Sequence, residues 1–167
     1  LIFCQARERK KNNKIKILFA VTLKNFFNIQ FLGVEMYYEF LDNLKFLNKF
    51  AKENNIKIYV NLHPAGAKSR NNLQIIFPEL NFTSNNLTNL LKKVDITLSF
   101  SSSVIEDSLN SFVPVILLDR WKRYKHCVSE KNFNKRNSAV YYLNDENNLL
   151  TCLKTIKKSK KINFSKY

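Results

Sequence analysis

The chain has 167 residues, 45% of them hydrophobic, with 28 Lys+Arg against 13 Asp+Glu and a formal net charge of +15. That hydrophobic fraction supports a buried core and excludes intrinsic disorder, and the length suits one domain. Only two glycines occur, Gly33 and Gly66, which excludes both the G-x-G-x-x-G dinucleotide loop and the Walker A loop.

The elements follow in chain order. After a polar lead-in over residues 1–13, Lys14 to Leu23 (KIKILFAVTL) is a short apolar, β-branched run that predicts a buried strand. Lys24 to Gly33 is expected as a loop. From Val34 to about Asn54 apolar residues recur at helical spacing, and Glu53-Asn54-Asn55 ends the helix. Ile56 to Leu62 alternates as a strand and runs into His63-Pro64. Asn71 to Phe77 suits one or two helical turns, and Leu80 to Thr83 a short strand. Ser84 is the expected N-cap of a helix over Asn85 to Val94. Asp95 to Phe100 reads as another buried strand, followed at once by Ser101-Ser102-Ser103 and a short helix from Val104 to Ser111. Pro114 to Leu118 and Asn137 to Leu143 are further strands, and the last helix runs from Asp145 to Lys158 before a lysine-rich tail. Strands alternating with helices predict an α/β domain with a Rossmann-like, doubly wound, mostly parallel sheet. The expected organisation is a lead-in or linker over 1–13, one nucleotide-binding domain over 14–158, and a basic tail over 159–167.

The basic excess invites a nucleic-acid reading, but its make-up weakens it. The chain holds 22 Lys, 6 Arg and 23 Asn, whereas readers of base edges and phosphates lean on arginine for its bidentate fork. A nucleic-acid-binding domain therefore stays as an alternative, and nucleic acid is not the expected partner. A basic surface still favours anions, including an anionic membrane leaflet. Cys4, Cys127 and Cys152 are widely spaced and odd in number, which argues against a disulfide framework and for a reducing compartment. With His63 and His126 the only histidines, no zinc-type ligand spacing exists, and neither a metal nor a cofactor is expected. No apolar run is long enough to span a bilayer. The expected location is the cytoplasm, with peripheral contact at the inner face of the membrane.

Chemistry-bearing residues gather at predicted strand ends. Ser101, Ser102 and Ser103 lie between a buried strand and a helix, where unpaired backbone N–H groups and hydroxyls suit a phosphate without glycines. The plainer role for one of them is an N-cap. His63 closes a strand, where an imidazole can hold a phosphate or give a proton to a leaving group, or simply fill a turn. Glu106 and Asp107 stand in the first turns of the following helix. A carboxylate there either accepts from ribose hydroxyls or complements the helix N-terminus. Arg120, Lys122, Arg123 and Lys125 surround Trp121 and Tyr124 in what reads mostly as a solvated loop, and His126 and the cysteines read as structural.

IYVNLHP at Ile58–Pro64, the LxxLLKKxDIxLSFSSSxIE stretch from Leu87 to Glu106, and PVILLD from Pro114 carry a resemblance. Together they resemble the C-terminal, donor-binding half of GT-B glycosyltransferases. The nearest in pattern are polysialyltransferases of capsule and surface polysaccharide and glycerophosphotransferases that use CDP-glycerol. The resemblance spans roughly Lys14 to Leu118. It implies a Rossmann-like donor domain in which His63, Ser101, Ser102 and Ser103 contact the donor phosphate, His63 with a catalytic part, and Glu106 contacts ribose or base. It further implies a CMP-, CDP- or UDP-linked sugar or polyol donor, a glycan acceptor, and an N-terminal acceptor domain for which this chain has no room. With Leu1 in place of a methionine, three readings stay open: a fragment of such an enzyme, a domain whose partner half is a separate chain, or an inactive domain. The alternative enzyme is a sugar-nucleotide 2-epimerase of the same fold, and the absence of a serine-glycine-glycine phosphate motif speaks against it.

Overall fold

The computed structural model describes residues 14–21, 37–62, 64–84, 86–123, 125–159 and 161–167. Six strands are present among them: β1 (Lys16–Ala20), β2 (Lys57–Asn61), β3 (Leu80–Thr83), β4 (Ile96–Ser99), β5 (Val115–Leu118) and β6 (Val140–Leu143). Five helices accompany them: α1 (Tyr37–Asn54), α2 (Arg70–Ile76), α3 (Leu87–Leu91), α4 (Val104–Asn110) and α5 (Leu149–Lys158). The strands form one sheet in the order β3-β2-β1-β4-β5-β6, and every pairing is parallel. The direction of strand order reverses between β1 and β4. This is the doubly wound, Rossmann-like arrangement expected from the alternating pattern.

A parallel sheet has to be covered on both faces, and the period-two alternation of its strands meets that need. Ile17, Phe19, Ile58, Val60, Ile96, Leu98, Ile116 and Leu118 point to one face, where α1, α2 and α5 supply Leu44, Leu47, Leu73, Cys152 and Leu153. Leu18 points to the other, with Leu90, Leu91 and Val94 around α3. Ile105 of α4 packs there on Val115, Leu117 and Val140. Fully burying each such aliphatic side chain is worth about 1.5–3 kcal/mol. One polar contact ties α4 to this face, and a second lies within the helix. The buried Ser108 hydroxyl lies 2.9 Å from the Thr97 hydroxyl and 2.6 Å from the Val104 carbonyl.

Helix α1 forms because Phe40, Leu44, Leu47 and Ala51 recur at three- and four-residue spacing and are buried. It stops at Asn55, whose φ of 51° breaks the helix in a conformation that asparagine tolerates. Three expectations shift. Helix α3 is shorter than Asn85 to Val94, and its cap is Asn86, whose side chain accepts the Thr88 N–H at 2.9 Å. Asparagine caps as well as serine, so the start slides past Ser84. The last helix begins at Leu149, because Asp145 caps a 3-10 turn over Glu146–Asn148 first. Another 3-10 turn, Pro64–Ser69, precedes α2 and starts the helical stretch earlier than Asn71. The expected loop over 24–33 and the lead-in over 1–13 lie outside the described residues. Residues after α5 rest on the body: the Asn163 N–H donates to the Asn137 carbonyl at 2.8 Å, and Phe164 meets Phe112 edge-on at 5.6 Å.

Candidate functional site

In an open α/β sheet, ligands sit beyond the carboxyl ends of the strands at the reversal in strand order. Here that edge is formed by Ala20 of β1 and Ser99 of β4, joined by a hydrogen bond from the Ser99 hydroxyl to the Ala20 carbonyl at 3.2 Å. Beside it β2 ends at Asn61, paired in register with Ala20. The Asn61 side-chain oxygen is buried without a hydrogen-bond partner among the described residues. Buried polar atoms are usually satisfied, so this one marks a spot suited to a further donor. His63, two residues on, lies outside the described residues.

The serine turn leaves the carboxyl end of β4 directly. Ser101 and Ser102 are half-buried and Ser103 is exposed. The Ser102 hydroxyl accepts the Val104 N–H at 3.3 Å, and its carbonyl accepts the Ile105 N–H at 2.9 Å. Ser103 occupies the cap position with helical φ −58° and ψ −15°, yet its side chain makes no capping bond. Capping by side chain therefore falls to Ser102, which leaves the Ser103 hydroxyl turned to solvent. Helix α4 has only seven residues, so its dipole adds little, and any anion here would be met mainly by hydroxyls and turn N–H groups.

Glu106 follows Ser102 and Ser103 by one helical turn and so shares their side of α4. Its Oε1 lies 2.8 Å from Nε2 of His126. The Glu106 side chain is 57% exposed and that of His126 20% exposed, so the carboxylate faces outward while the ring is mostly covered. Sequence reasoning set His126 aside, since a separation of 20 residues gives no signal of such a pair. The neighbouring Cys127 packs on the α4 side of the sheet. Burial, then the nearby Glu106 charge, raises its thiol pKa.

The loop after β5 is largely solvated as expected, with Lys122, Arg123 and Lys125 exposed, but several of its side chains are tied to the body. Asp119 is buried, accepts the Tyr142 hydroxyl at 2.8 Å and accepts the Arg123 N–H at 3.0 Å. Burial, followed by this bond to Asp119, pushes the Tyr142 phenol up to about 12. Arg123 pairs with the Glu39 carboxylate and lies over the Phe100 ring. Arg120 pairs with Glu146 at 2.5 Å, donates to Asn43 at 3.2 Å and lies over Phe46 and Trp121. The reason is topological: the end of β5 is brought beside α1, whose Glu39 and Asn43 were unmatched in the sequence. A groove of about 570 Å³ between α1 and the start of α5 is lined by Phe46, Lys49, Arg120, Glu146 and Leu150. A hollow of about 330 Å³ at the amino ends of the strands holds Lys14, Lys52 and Lys57. Neither contains the serine turn. Among the described residues, no group of three or more His, Cys, Asp or Glu side chains is placed to hold a metal ion.

No family model and no curated protein sequence matches the chain. Solved structures do. UDP-GlcNAc 2-epimerase from Methanocaldococcus jannaschii matches over 90% of this chain and 41% of its own, with TM-score 0.54 and 16% identity. UDP-GlcNAc 2-epimerase from Neisseria meningitidis, bound to UDP-GlcNAc, matches over 90% of this chain and 37% of its own, with TM-score 0.52 and 14% identity. The chain shares the Rossmann-like α/β fold of one part of these enzymes. KpsC of Thermosulfurimonas dismutans, a β-Kdo 2,7 transferase, also aligns, with TM-score 0.45 and 12% identity over 94% of this chain and 45% of its own. At such identities the likeness to the two epimerases is one of fold alone, the Rossmann-like α/β fold that the sequence predicts. The chain spans about two-fifths of the length of the two epimerases. No described helix is long and apolar enough to cross a membrane.

Proposed function

We propose that the chain is the donor-nucleotide-binding domain of a GT-B-type transferase that builds surface or capsular polysaccharide. The donor would be a CMP-, CDP- or UDP-linked sugar or polyol, its transferred group passing to a hydroxyl of a glycan acceptor. Position carries this reading: Ser101–Ser103 leave the carboxyl end of β4 at the strand-order reversal. The hydroxyls of Ser101 and Ser103 and the N–H groups of the turn would donate to the donor phosphates. In the transition state they would stabilise the charge that grows on the departing nucleotide, an electrostatic role that needs no metal. His63, at the end of β2, would add a donor to the same phosphate and a proton to the leaving group. Glu106 would accept from ribose hydroxyls. The polysaccharide assignment rests on the motif resemblance, and the acceptor side of the reaction belongs to another domain or chain. The lysines from Lys154 to Lys166 would favour contact with an anionic membrane surface.

Isothermal titration against CMP, CDP, UDP and GDP tests the reading directly. Binding of one of the four, weakened about tenfold by Ser103→Ala with an unchanged circular dichroism spectrum, is the expected result. Binding of none refutes it. Incubation with UDP-GlcNAc followed by product analysis separates this reading from an epimerase, which would release the 2-epimer.

A further inference from the structure

The serine turn and Glu106 lie on one side of α4, and His126 arrives there from the other end of the loop after β5. That loop is anchored twice: Asp119 holds the Arg123 N–H at 3.0 Å, and the Glu130 N–H donates to the Val140 carbonyl at 2.9 Å. Between these anchors the chain passes the first turn of α4. His126 is set there with its ring mostly covered and Nε2 against the Glu106 carboxylate. The ring therefore has little freedom of its own. A glutamate side chain more than half exposed has several rotamers to lose, and a fixed donor on one of its oxygens removes most of that freedom before any ligand arrives.

Resting on the donor-site reading above, we infer that His126 is the positioning residue for Glu106 and thereby sets the preference of this site for ribonucleotides over deoxyribonucleotides. The contact engages Oε1, so the second carboxylate oxygen is the one offered to a ligand. Ribose presents two neighbouring hydroxyl donors, and a carboxylate held in one orientation accepts from them with good geometry. A 2′-deoxynucleotide presents one fewer and gains less from the same preorganisation. A base, by contrast, has no need of this oxygen, so base identity is left to other residues.

The test is isothermal titration of the full chain and its variants with the ribonucleotide that binds most tightly, and with its 2′-deoxy counterpart. His126→Ala lowers ribonucleotide affinity by about tenfold and deoxynucleotide affinity by no more than about twofold, shrinking the preference. His126→Gln, whose amide nitrogen reaches where Nε2 stood, restores most of the preference, and His126→Asn, which is too short, does not. Thermal unfolding midpoints of all three variants stay within a few degrees of the parent, since a partly exposed pair adds little stability. If the parent binds no nucleotide, the donor-site reading fails and this inference with it. If the parent binds but His126→Ala keeps the same preference, or loses both nucleotides equally, the donor-site reading stands and the role of His126 is refuted.

Discussion

Replacing Asp119 by alanine probes the joint that holds the loop after β5 to the sheet. Asp119 is 1% exposed, and its partners include the Tyr142 hydroxyl at 2.8 Å and the Arg123 N–H at 3.0 Å. Bonds to an ionised group contribute about 1.5–3 kcal/mol each. These two together are worth about 3–6 kcal/mol, which the relief of carboxylate burial reduces. The expected loss for Asp119→Ala is therefore about 2–4 kcal/mol. For a domain of this size that lowers the unfolding midpoint by roughly 6–12 °C. Asp119→Asn keeps one acceptor oxygen and should lose about half as much. Urea unfolding followed by circular dichroism measures the loss, and an unchanged denaturant slope shows that the native fold persists. A double-mutant cycle with Tyr142→Phe isolates one bond and should give a coupling of about 1–2 kcal/mol. A loss below about 1 kcal/mol, or full additivity with Tyr142→Phe, would refute the view that this carboxylate holds the loop.

Other consequences follow from burial. Leu98 is fully buried in the central strand, so Leu98→Ala should cost about 2–5 kcal/mol in urea unfolding, and a smaller cost would mean the core collapses to fill the gap. Burial above all pushes the phenols of Tyr141 and Tyr142 up to about 12, against about 10 in an unfolded chain. Their neutral forms thus stabilise the fold fully below pH 10, and that contribution is lost as pH rises from 10 through 12. Tyrosinate absorbance of the folded protein should hold a component that ionises only toward pH 12 and shrinks in Tyr142→Phe, and its absence would contradict this. The Cys152 thiol is buried and its pKa raised by desolvation. Peptide mapping after mild alkylation should find it unmodified until denaturant is added.

The sheet was legible because its strands are buried on both faces. The apolar runs of β1 and β5 have little competing pattern, and α1 carries eighteen residues of amphipathic spacing. Short helices were less clear, since α3 depends on a choice between Ser84 and Asn86 as cap that spacing alone does not decide. The serine turn could be placed at a strand end from sequence, but the division of labour within it could not. Ser102 accepts the Val104 N–H, while Ser103, at helical φ and ψ, makes no capping bond. The pairs around the carboxyl edge were invisible for a different reason. Glu39 meets Arg123 across 84 positions and Glu106 meets His126 across 20, and only the strand order brings them together.

Those pairs also alter the meaning of the net charge. Arginine is the side chain best fitted to grip a phosphate with two parallel bonds. Arg120 and Arg123, which follow the carboxyl end of β5, are engaged with Glu146 and Glu39. Lysines such as Lys45 and Lys49 stand 70% and 76% exposed on α1. Diffuse cations of this kind raise the local concentration of any anion and speed its arrival, and salt screens them readily. They do not choose among anions. Under the donor-site reading, selection then falls to neutral donors of fixed direction, the serine hydroxyls and turn N–H groups, together with the carboxylate that His126 holds. A neutral cradle also suits a transferase: the nucleotide that leaves carries more negative charge than the donor that entered, and a guanidinium clamp would retain it.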